Sequence, residues 1–117
     1  MSYIDGFVAA VPASRKQDYI DHVHSIQSLF GEIGVTRMVE CWGDDVPEGQ
    51  VTDFRKAVKA EADEVVVMSW LEWPSKEVRD AGMEKMHTDP KFEEAMQSMP
   101  FDGKRVIFGG FEVVFDK

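Results

Sequence analysis

Two acidic residues lie inside runs that are otherwise apolar: Asp5 within Tyr3–Val11 and Glu40 within Val35–Trp42. A carboxylate enclosed by apolar packing needs a partner or takes a raised pKa, and such groups often mark sites. Glu40 reads as a structural ion, turned to an edge or paired with Arg37 or Arg105. For Asp5 the same structural role, at an edge or paired with Arg37 or Arg105, and a proton-transferring role are evenly balanced. Glu112, near the end of its strand, reads as a surface or interface ion. His22 and His24 invite a metal, but helical residues two apart project about 200° from each other and cannot share one ion. By helical angle His22 flanks the buried stripe while His24 faces water. His22 is therefore the one placed for general acid or base work, given an open cavity beside it. A packed, satisfied histidine is the commoner outcome at that depth. His87 falls near a helix end, where a cation complements the dipole.

Cys41 sits mid-strand with neither a base nor a positive charge beside it, so it reads as buried and inert. Trp42, Trp70 and Trp73 would serve equally as core or as walls of an aromatic pocket. Met68, Met83, Met86, Met96 and Met99 form an adaptable apolar set, suited to gap-filling or to a variable hydrophobic ligand. Asp44, Asp45 and Glu48 lack the alternating ligand spacing of a calcium loop and read as a solvated turn. Gly103-Lys104-Arg105 lacks the upstream glycine and following helix of a phosphate loop. Gly109-Gly110 falls within a strand, where it allows a bulge or a close backbone approach. No metal site and no cofactor is expected.

The elements that must position these residues follow from changes in apolar spacing. Tyr3–Val11 is a strand ending at Pro12, and Ser14 is placed to cap a helix. Tyr19, Val23, Ile26, Phe30 and Ile33 recur at four, three, four and three, a single buried helical stripe that Gly31 or Gly34 can end. Val35–Trp42 is a second strand, stopped by Gly43-Asp44-Asp45 and Pro47. Thr52–Ala60 is a short helix or a long loop. Val65–Trp73 is a third strand, and Ser75 caps a helix with Val78, Ala81, Gly82 and Met86 inward. Pro90 opens a further short helix carrying Phe92, Ala95 and Met96. Asp102-Gly103 marks a turn before a last strand over Arg105–Phe115.

The order β-α-β-β-α-β with right-handed crossovers predicts an α+β, ferredoxin-like fold: a four-stranded antiparallel sheet with helices on one face. A sheet with one wet face alternates apolar and polar residues. These strands do not alternate cleanly: Val65, Val67, Ser69 and Leu71 stand against Val66, Met68 and Trp70, and Ile107, Phe111, Val113 and Phe115 against Val106, Phe108 and Val114. Helices cover only one face, and the other would leave a large bare patch. A second copy is the simplest cover, so a homodimer with sheets face to face is expected.

Length and composition agree with this. The 117 residues suit one domain, with 44% hydrophobic and 30% charged residues. Such a chain buries roughly two-thirds of its unfolded surface. A net charge of −9 with scattered Lys and Arg argues against nucleic acid as a partner. The longest apolar run, Phe7–Val11, is far too short to span a bilayer, and the start shows no signal-peptide pattern, so no membrane partner and a cytoplasmic location are expected. One cysteine excludes an intrachain disulfide.

Four motifs in order carry a resemblance. The opening Met-Ser-Tyr-Ile-Asp-Gly-Phe-Val, the run Val39-Glu40-Cys41-Trp42-Gly43-Asp44-Asp45-Val46-Pro47, the pair Val67-Met68-Ser69-Trp70 and Trp73-Pro74-Ser75, and Met99-Pro100-Phe101-Asp102-Gly103-Lys104-Arg105 with Gly109-Gly110-Phe111-Glu112 resemble the YbaA-like family of small bacterial proteins, the domain of unknown function 1428. Phe54-Arg55-Lys56-Ala57-Val58 fits the same pattern. The resemblance implies a dimeric α/β-barrel and supplies no activity. Three readings follow. The first is a small enzyme acting on a hydrophobic or aromatic molecule, monooxygenase-like by fold analogy alone. The second is a non-catalytic binder or sensor of such a molecule, and the third a dimeric interaction scaffold. For the first two, Asp5 and His22 would move protons, Trp42, Met68 and Trp70 would wall the pocket, and Arg105 would contact an anion.

Overall fold

The computed structural model describes residues 2–117. Strand β1 (Tyr3–Pro12) leads through a 3-10 turn at Ala13–Arg15 into helix α1 (Lys16–Glu32), then β2 (Arg37–Trp42) and the one-turn helix α2 (Phe54–Ala57). Strand β3 (Glu64–Trp73), helices α3 (Lys76–Thr88) and α4 (Pro90–Gln97), a 3-10 turn at Gly103–Arg105 and β4 (Ile107–Glu112) complete the chain. The sheet order is β2-β3-β1-β4 with every neighbouring pair antiparallel, the ferredoxin-like arrangement.

Register settles which parity meets the helices. Tyr3, Asp5, Phe7, Ala9 and Val11 of β1 stand opposite Trp73, Leu71, Ser69, Val67 and Val65 of β3, and β2 adds Met38, Glu40 and Trp42 to the same side. Two apolar clusters fill the space beneath the helices. One joins Leu71 and Trp73 to Ile26, Phe30, Ile33 and Phe92, and the other joins Ala9, Val11 and Val67 to Tyr19. The predicted α1 stripe therefore does face the sheet. On the opposite side, α2 and its following residues give local cover, with Val58 packed on Ala10 and Val66. Beyond that cap the face is open: Met68, Ile107 and Phe111 are 41%, 44% and 61% exposed.

Helix ends follow their local chemistry. Ser75 accepts from the Val78 amide at 3.2 Å, Asp89 caps α4 ahead of Pro90, and Asp53 caps α2 through the Lys56 amide at 2.7 Å. The last cap resolves 52–60 as a short helix. Gly34, at φ +113°, ends α1, with its amide bonding Gly31 O and the Val35 amide bonding Phe30 O. Gly82 of α3 lies so close to the core that a Cβ would come within 2.6 Å of the Trp73 ring and 2.7 Å of Ile33 O.

Three expectations are corrected. Ser14 lies inside the 3-10 turn, and α1 starts at Lys16 with no side-chain cap. Ala81 and Met96 are exposed, while Met83 takes the inward place on α3. The last strand stops at Glu112 because its partner β1 begins at Tyr3, opposite Glu112, leaving Val113–Phe115 nothing to pair with.

Candidate functional site

Glu40 occupies a helix-side position of β2, between Met38 and Trp42. Tyr19 reaches down from α1, and its hydroxyl donates to Glu40 Oε2 in a short hydrogen bond. Ser69, the cross-strand neighbour, adds a further polar contact to the carboxyl. Among the described residues no cation forms a salt bridge with Glu40. Burial pushes its pKa above the usual carboxylate range, and the hydrogen bonds from Tyr19 and Ser69 offset that only in part. Burial and then the nearby carboxylate push the Tyr19 phenol upward as well. The two groups thus share a hydrogen bond in surroundings that disfavour charge on either.

A cleft of about 260 Å³ opens beside this pair, lined by Lys16, Tyr19, Val23, His24, Glu40 and Trp42. The Tyr19 and Trp42 rings lie 6.2 Å apart at 53°, and Lys16 Nζ stands 5.5 Å from the Trp42 ring centre. The cleft combines an aromatic wall, a buried proton-bearing pair and a cation at its mouth. Such a combination can bind a small ring and exchange a proton with it.

The other residues singled out from sequence lie elsewhere. Asp5, 2% exposed, is gripped by Arg79 through Nε (3.0 Å) and Nη2 (2.8 Å) and by Trp73 Nε1 (2.9 Å). Its partner is Arg79, rather than the expected Arg37 or Arg105. Glu40 likewise pairs with neither arginine, because Arg37 reaches Glu72 and Arg105 reaches Glu64. His22 sits on α1 next to Ala95 of α4; its Nε2 is buried without a hydrogen bond, and burial lowers its pKa, leaving it neutral. No hydrogen bond joins His22 to Asp5.

Arg105 holds Glu64 through two bonds of 2.7 and 2.8 Å, and this pulls the Glu64 carboxyl down to about 2. Its anion is thus internal. Trp42 faces the helices, whereas Met68 and Trp70 belong to the open face. Trp42 and Met68 still meet at the rim of a second hollow, about 220 Å³, with Cys41, Val46, Phe54 and Val66. Trp70 bonds Glu72 through Nε1 at 2.9 Å. Gly110 makes the close approach its type suggested, since a Cβ there would meet Tyr3 Oη at 2.5 Å and Arg79 Nη2 at 2.8 Å. Sequence reasoning passed over Tyr19 as a site residue. The available signal was a hydroxyl in a stripe otherwise made of aliphatic and phenyl groups.

Comparison with solved structures reveals the same architecture. A dimeric ferredoxin-like protein from an uncultured marine organism superposes with a TM-score of 0.66 at 10% identity, over 98% of this chain and 97% of the other. SnoaB, a cofactor-independent oxygenase from Streptomyces nogalater, gives 0.60 at 8% identity, over 98% and 95%. A NIPSNAP family protein from Agrobacterium tumefaciens gives 0.56 at 9% identity, over 96% and 92%. By sequence, Uncharacterized protein YbaA of Escherichia coli K12 is 58% identical across 100% of both chains. The model of a protein family of unknown function, DUF1428, matches residues 2–103, and the chain belongs to that family.

Proposed function

We propose that this protein binds a small hydrophobic or aromatic molecule in the cleft between α1 and β2, with Tyr19–Glu40 as its polar floor and Trp42 as its wall. The observation that carries this reading is the Tyr19–Glu40 pair itself. A partly buried carboxyl without a cation costs stability, and such a group is often kept for a site. The SnoaB likeness supports a ligand site on this fold without naming a substrate. Glu40, with a raised pKa, is suited to passing a proton to or from a bound ring. A pure scaffold role would leave this pair unused. In this reading Asp5 and Arg105 hold the fold and His22 packs α1 against α4.

A thermal-shift screen with haem, flavins and aromatic acids tests the proposal, since a ligand of the folded state raises the melting point. At least one planar compound should stabilise the native chain, and less so Trp42→Ala. Absence of any shift across the screen would sink the reading.

The working unit in this proposal is a homodimer, in the cytoplasm, where an unpaired Cys41 is at home. Exposed Met68, Ile107 and Phe111 on the open face call for cover, and the dimeric state of the marine ferredoxin-like neighbour supports a second copy as that cover. Light scattering should return twice the 13.3 kDa chain mass, and Phe111→Glu should return the single-chain mass.

A further inference from the structure

The polar groups of the cleft are distributed by charge, and that distribution restricts what it can hold. The floor carries Tyr19 and Glu40, a pair able to donate or accept a hydrogen bond but without any positive charge beside it. A carboxylate placed on that floor would face a carboxyl and a phenol, and like-charge repulsion would oppose it once Glu40 ionises. The mouth carries Lys16, exposed at the first turn of α1, over the face of Trp42. Among the described residues Lys16 makes no salt bridge, although the chain has twenty-two acidic residues against thirteen Lys and Arg. Its ammonium is held only by an aromatic face, a weak contact at an exposed position that an incoming anion can replace.

We infer that the cleft takes a small aromatic acid, with its ring against Trp42, its carboxylate at Lys16 and a hydroxyl or carbonyl on the far side of the ring bonded to Tyr19–Glu40. The inference rests on the cleft being the ligand site and adds the class and direction of the ligand. A volume of about 260 Å³ suits one substituted ring and is below the roughly 300–1,000 Å³ of pockets for drug-sized molecules. Lys16 has a flexible stem, so it can swing from the Trp42 face to the rim as the ring slides in. His24, on the same rim, adds a second donor that an acid can use. The floor then reads the opposite end of the molecule. A buried hydroxyl–carboxyl pair rejects a ring edge that brings no polar atom, because its own hydrogen-bonding capacity would be left unmet.

Three probes separate these parts: 4-hydroxybenzoate, 4-hydroxybenzamide, which has the same shape without the negative charge, and benzoate, which lacks the hydroxyl. Each is titrated into 15N-labelled protein while the Trp42 indole N–H signal is followed, with Trp42→Phe identifying that signal. The hydroxy acid should bind about threefold to fivefold tighter than its amide, the range of an exposed ion pair. Lys16→Met should narrow that difference by weakening the acid more than the amide, and an undiminished difference would overturn the inference. Benzoate should bind several-fold more weakly than 4-hydroxybenzoate. Equal affinity for acid and amide in the native chain would overturn the inference while leaving the cleft as a ligand site. If none of the three moves the Trp42 signal at millimolar concentration, the inference falls, and the reading beneath it then stands or falls with the thermal-shift screen.

Discussion

Asp5 and Glu40 both point from the sheet toward the helices, yet the protein treats them in opposite ways. Asp5 accepts two bonds from the Arg79 guanidinium and one from the Trp73 indole, so every direction of its charge is answered. Glu40 has a phenol and a serine hydroxyl for neighbours, and no guanidinium. The first arrangement tightens β1 against α3 and closes on itself. The second leaves a carboxyl whose charge is disfavoured, open to a cleft. Charge compensation therefore distinguishes a carboxylate that an ion pair locks into the fold from one left without a cation.

That contrast can be broken most severely at Arg79. Arg79→Met strands a carboxylate that is 2% exposed, and denaturant unfolding should show a loss of about 3 kcal/mol or more. A loss within experimental error would mean Asp5 is not held by its ion pair. Arg105→Met should destabilise less, since Glu64 keeps the bond from the Glu61 amide at 2.7 Å and the nearby charge of Arg55. Its signature is in the pH profile. Glu64 has a depressed pKa, so its contribution is present above the ordinary carboxylate range and is lost as pH falls through about 2. In Arg105→Met the stability lost between the ordinary carboxylate range and about pH 2 should shrink, because the folded and unfolded values of Glu64 then lie closer together.

Glu40→Gln should change stability least, within about 1 kcal/mol at mildly acidic pH, because an amide keeps the hydrogen bonds without a charge to bury. Here the sign reverses. A raised folded-state pKa stabilises below the unfolded value and is lost as pH rises through the folded one. The native chain should therefore weaken relative to Glu40→Gln as pH rises from the ordinary carboxylate range through Glu40's own pKa. Parallel curves for the two proteins would show that Glu40 is as well compensated as Asp5.

The scaffold around these carboxylates was readable in the chain because its causes are local. The four-three spacing of Tyr19, Val23, Ile26, Phe30 and Ile33 names a helix face, and Ser75, Pro90 and Asp102 punctuate their elements without outside help. Two-sided apolar strands announced an uncovered face but hid which parity turned inward. Partners were harder. Arg79 lies 74 residues from Asp5 and Tyr19 lies 21 from Glu40, so each pairing depends on how a helix crosses the sheet. Val113–Phe115 has strand composition and remains unpaired, since pairing depends on where the neighbouring strand begins. The cleft belongs to this second kind of fact: Lys16 and Trp42 meet only after α1 has docked.

The absence of a side chain at Gly82 has a mechanical consequence for that cleft. With Trp73 and the last turn of α1 pressed against bare backbone, the far end of the helix is clamped and cannot slide. Lys16 and Tyr19 sit at the other end, more than two turns from the clamp. A methyl group in place of that hydrogen would press on the Trp73 ring and the Ile33 carbonyl together, prising the tail of α1 off the sheet and carrying its leading turns along.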